Sequence, residues 1–104
     1  MSRPEIVAEI RQVCAHFHFD VTEVKEEKNP GAYAQVSVTA ILDGSVKLSV
    51  DYCPGADFRS WQVHVDPWVS EYGYQDLQGL VEKALRNFLF ACVKKTALLR
   101  AVLP

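Results

Sequence analysis

The 104-residue chain has no surplus of either charge, with 11 lysines and arginines set against 13 aspartates and glutamates for a net of -2. That balance excludes the broad basic footprint used to hold nucleic acid or an anionic membrane, and neither is an expected partner. No stretch approaches the roughly 20 apolar residues of a membrane-spanning helix. Polar Ser2, Arg3 and Glu5 stand where a signal peptide would carry its hydrophobic region, so the expected location is cytoplasmic. Cysteine is scarce: Cys14, Cys53 and Cys92 are odd in number, far apart and without CxxC spacing. This is neither a disulfide framework nor a zinc site, and reduced, buried thiols are expected.

Equally missing are a Gly-rich phosphate loop, HExxH, GxSxG and EF-hand patterns, internal repeats, low-complexity tracts and linkers. Gly55 and Gly73 read as isolated turn glycines, and no cofactor or metal is expected. What remains is the composition of an ordinary globular protein, 49% apolar and 23% charged, with length enough for one domain over residues 1–104.

The clearest pattern runs from Tyr33 to Tyr52. Ala34, Val36, Val38 and Ala40 alternate with polar residues in one arm, and Val46, Leu48, Val50 and Tyr52 do so in the other, the period-two mark of half-buried strands. Asp43-Gly44 supplies the turn. A two-residue type I′ loop would set Ala40 against Lys47 and mix the faces. A three-residue loop of Leu42, Asp43 and Gly44 keeps them apart, pairing Ala40 with Val46 and Val38 with Leu48.

Before the hairpin, Ser2 to Phe17 predicts an amphipathic helix with Ile6, Ile10, Val13 and Phe17 on its stripe and Val7 and Cys14 widening it. Ser2 and Glu5 have capping-box spacing, and Pro4 fits the first turn. His16 and His18, two apart, point in different directions on a helix and are read as structural. Phe19 to Glu27 predicts an edge strand with Phe19 and Val21 inward, its charged end discouraging pairing with another chain.

After the hairpin, Arg59 to Asp66 alternates with Trp61, Val63 and Val65 on one face. Antiparallel to the third strand, it sets Tyr52 by Trp61, Val50 by Val63 and Leu48 by Val65, with Asp51 by Gln62, Ser49 by His64 and Lys47 by Asp66 on the other face. Asp66-Pro67-Trp68-Val69 predicts a short helical turn with aspartate at its cap. From Gln75 a long helix carries Leu77, Leu80, Val81, Ala84, Leu85, Phe88, Ala91 and Cys92 on one broad face. Lys95 would fall in the middle of that face, so the helix is expected to end, bend or leave the core near Lys94. Phe90 shares a face with Arg86 and Lys94, and Thr96 to Leu103 is apolar enough to need a cover.

The expected fold is therefore α+β: an N-terminal helix, a four-stranded antiparallel meander and a long C-terminal helix, both helices on one face of the sheet. In this element order, and in Tyr52-Cys53-Pro54, the chain resembles the RWD domains, whose tyrosine-proline loop has a second proline that is missing here. That resemblance implies a noncatalytic, protein-contact role.

The residues suggest the same role by another route. Phe58, Arg59, Trp68, Tyr72 and Tyr74 lie in or beside the loops flanking the fourth strand, and Trp, Tyr and Arg dominate protein contact sites. The expected function is a small noncatalytic protein-binding module: an adaptor, an inhibitor or an assembly subunit. Phe90, Leu98, Leu99, Val102 and Leu103 form the candidate interface of a homodimer. The alternative is a small enzyme or ligand-binding domain near His64 and Cys53. Ser49 opposite His64, with Asp51 nearby, has the outline of a nucleophile beside a base, and Cys53 sits in a loop next to Pro54.

Overall fold

The computed structural model describes residues 3–27, 34–53, 61–66, 69–73, 76–91 and 100–103, with the backbone alone at 69, 72 and 89–91. Helix α1 spans Arg3–His16, strands β1 to β5 span Asp20–Glu26, Val36–Leu42, Val46–Tyr52, Trp61–Asp66 and Val69–Gly73, and helix α2 spans Leu77–Ala91. The strands form one antiparallel sheet in chain order, β1-β2-β3-β4-β5. Alternate residues of β2, β3 and β4 are buried, and with the stripes of both helices they make one hydrophobic cluster, so α1 and α2 cover the same face. Among the described residues no helix is long and apolar enough to cross a membrane.

α1 follows its apolar stripe: Ile6, Ile10, Val13 and Cys14 are buried, and Phe17 just beyond is fully so. Its end is closed by a Schellman motif. The Phe19 N–H donates to the Cys14 carbonyl at 2.9 Å and the His18 N–H to the Ala15 carbonyl at 3.0 Å, with His18 left-handed at φ 63°. Phe19 and Cys14, at the two positions where an apolar pair commonly accompanies this motif, are both buried. The Arg3 guanidinium donates to the Glu27 carbonyl at 2.6 Å and to Gln35 Oε1 at 3.2 Å, fastening the helix start to the end of the β1–β2 pair from which the connecting segment leaves.

β1 departs from plain alternation. A bulge between Val21 and Glu23 sets Val21 opposite Ala40 and Val24 opposite Val38, so two valines three apart both pack against the core. The central turn corrects the expected loop by one residue. Leu42 pairs with Val46, Ala40 with Leu48 and Val38 with Val50, which makes the loop Asp43-Gly44-Ser45. Leu42 is buried, and that burial moves the turn along the chain. Asp43 at φ 49° and Gly44 at φ 68° have the two positive values of a type I′ turn, closed by the Ser45 N–H on the Leu42 carbonyl at 3.0 Å. Ser45 is the extra residue that keeps the apolar faces in phase. The β3–β4 register matches the expectation at all six pairs, from Lys47 with Asp66 to Tyr52 with Trp61.

Among the described residues the sheet has five strands where four are expected; Asp66 ends β4 and Val69 opens β5, and the middle of the helical turn expected over residues 66–69 lies outside the described residues. Only residues 67 and 68 separate β4 from β5, and Gly73, expected in a turn, is the last residue of the strand, opposite Trp61. The free edge of β4 offers backbone partners along its whole length, whereas an aspartate cap serves one turn. This strand also departs from the four-stranded meander that the RWD resemblance implies.

α2 begins at Leu77, two residues after the expected start at Gln75, because Asp76 is its cap: Asp76 Oδ2 accepts from the Gly79 N–H at 2.9 Å and the Asp76 carbonyl from the Leu80 N–H at 3.0 Å, while the end or bend expected near Lys94 lies outside the described residues. Leu77, Leu80, Val81, Ala84, Leu85 and Phe88 are all buried.

Candidate functional site

With both helices on one side, the other face of the sheet is left without a covering element among the described residues. It is laid out in rows by the register. Glu23, Thr39, Ser49, His64 and Ser70 form one row across all five strands, and Lys25, Ser37, Asp51, Gln62 and Tyr72 form the next. A third row holds Asp20, Ile41, Lys47 and Asp66. Short hydroxyl and amide side chains and Asp51 hold the middle, half-buried by their neighbours, while the exposed charges stand on β1, at Asp20, Glu23 and Lys25, or near the strand ends, at Lys47 and Asp66. Lys47 and Asp66 are in the expected register but make no ion pair among the described residues. Lys47 instead lines a shallow hollow of about 360 Å³ with Thr22, Glu23, Thr39 and Ile41. The Thr22 hydroxyl donates across to the Thr39 carbonyl at 3.2 Å.

His64 takes part in a contact that the sequence reading missed. Its Nδ1 lies 2.7 Å from Ser70 Oγ on β5, a hydrogen bond across the strand pair, while Ser49 stands on its other side. A hydroxyl at bonding distance from an imidazole is half of a nucleophile-base pair, which also needs a third group to orient the ring. Among the described residues nothing bonds Nε2, and Asp51 lies in the neighbouring row. Ser70 gave no signal in the sequence because its strand did not.

Cys53 is 2% exposed, not an accessible loop thiol. It lies four residues along β3 from Ser49, roughly 13 Å at strand spacing, so the structure does not bring it together with His64. Cys14 is buried too, and burial pushes its thiol up to about 11 against a smaller opposing pull from Arg11, which keeps it protonated and unreactive near neutrality. His16 stacks edge-on against Phe17, with ring centres 4.7 Å apart, and its Nε2 is 3.3 Å from Gln78 Nε2 on α2. Among the described residues no group of three or more His, Cys, Asp or Glu could hold a metal ion.

Of the aromatic set, Phe58, Arg59, Trp68 and Tyr74 lie outside the described residues, and Tyr72 is described by its backbone on β5. The sheet nevertheless fixes where their segments join it. β4 runs between segments 54–60 and 67–68, so these meet it roughly 17 Å apart at 3.4 Å per residue. Segments 54–60 and 74–75 join at the same end, where the Tyr52 and Trp61 rings meet at 5.1 Å and 62°. Of the apolar C-terminal set, Phe90 is in the last turn of α2 and Leu98 and Leu99 lie outside the described residues. Val102 and Leu103 are half-buried and pack against the core of their own chain.

One inward-facing position of β5 is charged. Glu71, opposite Val63, accepts a hydrogen bond from the Asn87 amide and lies 3.5 Å from Lys83 Nζ, both on α2. No protein-family model, curated protein or solved structure matches this chain.

Proposed function

We propose that this chain is a small noncatalytic protein-binding module, an adaptor, inhibitor or assembly subunit, that makes contact through the open face of its sheet and the loop segments at the Tyr52–Trp61 end. The observation that carries this reading is the placement of both helices on one face, which among the described residues leaves a platform of mixed short polar side chains on the other. Five strands spaced about 4.8 Å apart and about 20 Å long give roughly 400 Å² of platform. A standard interface takes about 800 Å² from each partner, so the platform supplies about half. The remainder falls to the adjoining segments that carry Phe58, Arg59 and Tyr74, residue types that anchor contact sites. A second copy of the chain is a further proposed partner, through the candidate set Phe90, Leu98, Leu99, Val102 and Leu103.

Affinity capture from the native source, read by mass spectrometry, tests this with wild type, Tyr72→Ala, and Thr39→Arg combined with Ser49→Arg. A partner lost from the variants while their melting temperatures hold supports the proposal. Equal capture by all three overturns the sheet face as the contact surface.

A further inference from the structure

We infer that β5 is a releasable edge strand, its described side chains Ser70 and Glu71 seated by polar contacts on either face, and able to leave the sheet while β1 to β4 and the core remain folded. The inner strands are fixed by apolar burial, with Val38 and Ala40 on β2 and Leu48 and Val50 on β3 at most 1% exposed. β5 is built otherwise. Of its three inward positions, 69 is a valine opposite Val65, 71 carries a carboxylate and 73 carries no side chain, so one of the three is apolar. The carboxylate is met by Asn87 and by Lys83, whose side chain is 58% exposed. On the outer side the strand is held by Ser70 Oγ on His64.

Water replaces contacts of this kind at small net cost, whereas nothing in water replaces apolar burial. Among the described residues β5, at five residues, is the shortest strand and pairs on one side only, with β4. β1, the other edge, has both Val21 and Val24 packed against the core and its end tied by Arg3, so the two edges are held by different means. Release of β5 would turn β4 into an edge, with a row of unpaired backbone donors and acceptors of the kind an extended chain can join.

Native-state hydrogen exchange on the full chain, read by mass spectrometry across added urea, decides the matter. β4 amides that bond β5 are expected to exchange at least tenfold faster than those joining β2 to β3, and with a weaker urea dependence, the sign of local opening. Lys83→Ala with Asn87→Ala should accelerate the β4–β5 set at least fivefold and leave the β2–β3 set unchanged, and Glu71→Val should slow it. Equal rates and equal urea slopes for the two sets in the wild type would overturn the inference, because β5 would then open only when the whole sheet does. A Lys83 and Asn87 variant that speeds every strand alike, or none, would overturn it as well.

Discussion

Replacing His18 by glycine should stabilise the fold, although it removes a large side chain. His18 holds φ 63° to close α1, a conformation that costs a residue with a Cβ about 1 to 2 kcal/mol and glycine almost nothing. Against this stands the greater freedom of glycine in the unfolded chain, about 0.4 to 1 kcal/mol. The imidazole is exposed, so its own contacts add little. The net gain is about 0.5 to 1 kcal/mol, which for a chain of this size raises the melting temperature by about 2 to 6 °C. Two residues earlier the sign reverses. His16 is helical and lies against Phe17 and Gln78, so glycine there should cost about 1 kcal/mol or more. Urea unfolding followed by tryptophan fluorescence compares the two midpoints at unchanged slope. A His18→Gly midpoint at or below wild type, or two glycine variants moving in the same direction, would refute the left-handed cap as the controlling feature.

The two faces of the sheet should answer a charge differently. Val38→Asp and Leu48→Asp, at positions no more than 1% exposed, should each cost several kcal/mol in denaturant melts, while Thr39→Asp and Ser49→Asp stay within about 1. Cys14 should give stability a measurable alkaline limit. Its thiol pKa is raised from 9.0 to about 11 in the folded chain, so its contribution is whole below pH 9 and is lost as the pH climbs toward 11; the urea midpoint of Cys14→Ala should fall less steeply than wild type across that window. Light scattering at tens of micromolar should find a dimer that Leu98→Lys with Leu99→Lys turns into a monomer. A monomeric wild type would rule out the C-terminal interface.

The parts legible in the sequence were those where side-chain alternation and burial agree. Val46, Leu48 and Val50 against Val65, Val63 and Trp61 leave one register that keeps the apolar face whole, and the chain adopts it. The hairpin loop was displaced by one residue because a three-residue loop begun at Leu42 and one begun at Asp43 keep the apolar faces apart equally well, and the burial of Leu42 with the extra residue Ser45 sets the actual phase around the Asp43-Gly44 turn. β5 was illegible for a different reason. Of its inward positions 69, 71 and 73 only the first, a valine, is apolar, so the strand lacks the apolar alternation by which strands are read, and it forms on the edge that β4 provides. With β5 went Ser70, the hydroxyl bonded to His64, and the Glu71 seat on α2. The bulge in β1 was hidden likewise, since valines three apart on one face look like no strand until an extra residue is inserted between them.

The order of strands in the sheet bears on how the chain is made. Each strand pairs with the one immediately before it in sequence, so a chain emerging from the ribosome finds every new strand's partner already at hand. No strand waits on a distant segment, and loop closure is cheap at each step of the sheet. The long-range step is the docking of α2 beside α1, where His16 meets Gln78 across 62 residues of sequence. Until that step the β4 end of the apolar face is bare, which makes the nascent sheet without α2 the species most exposed to aggregation during synthesis.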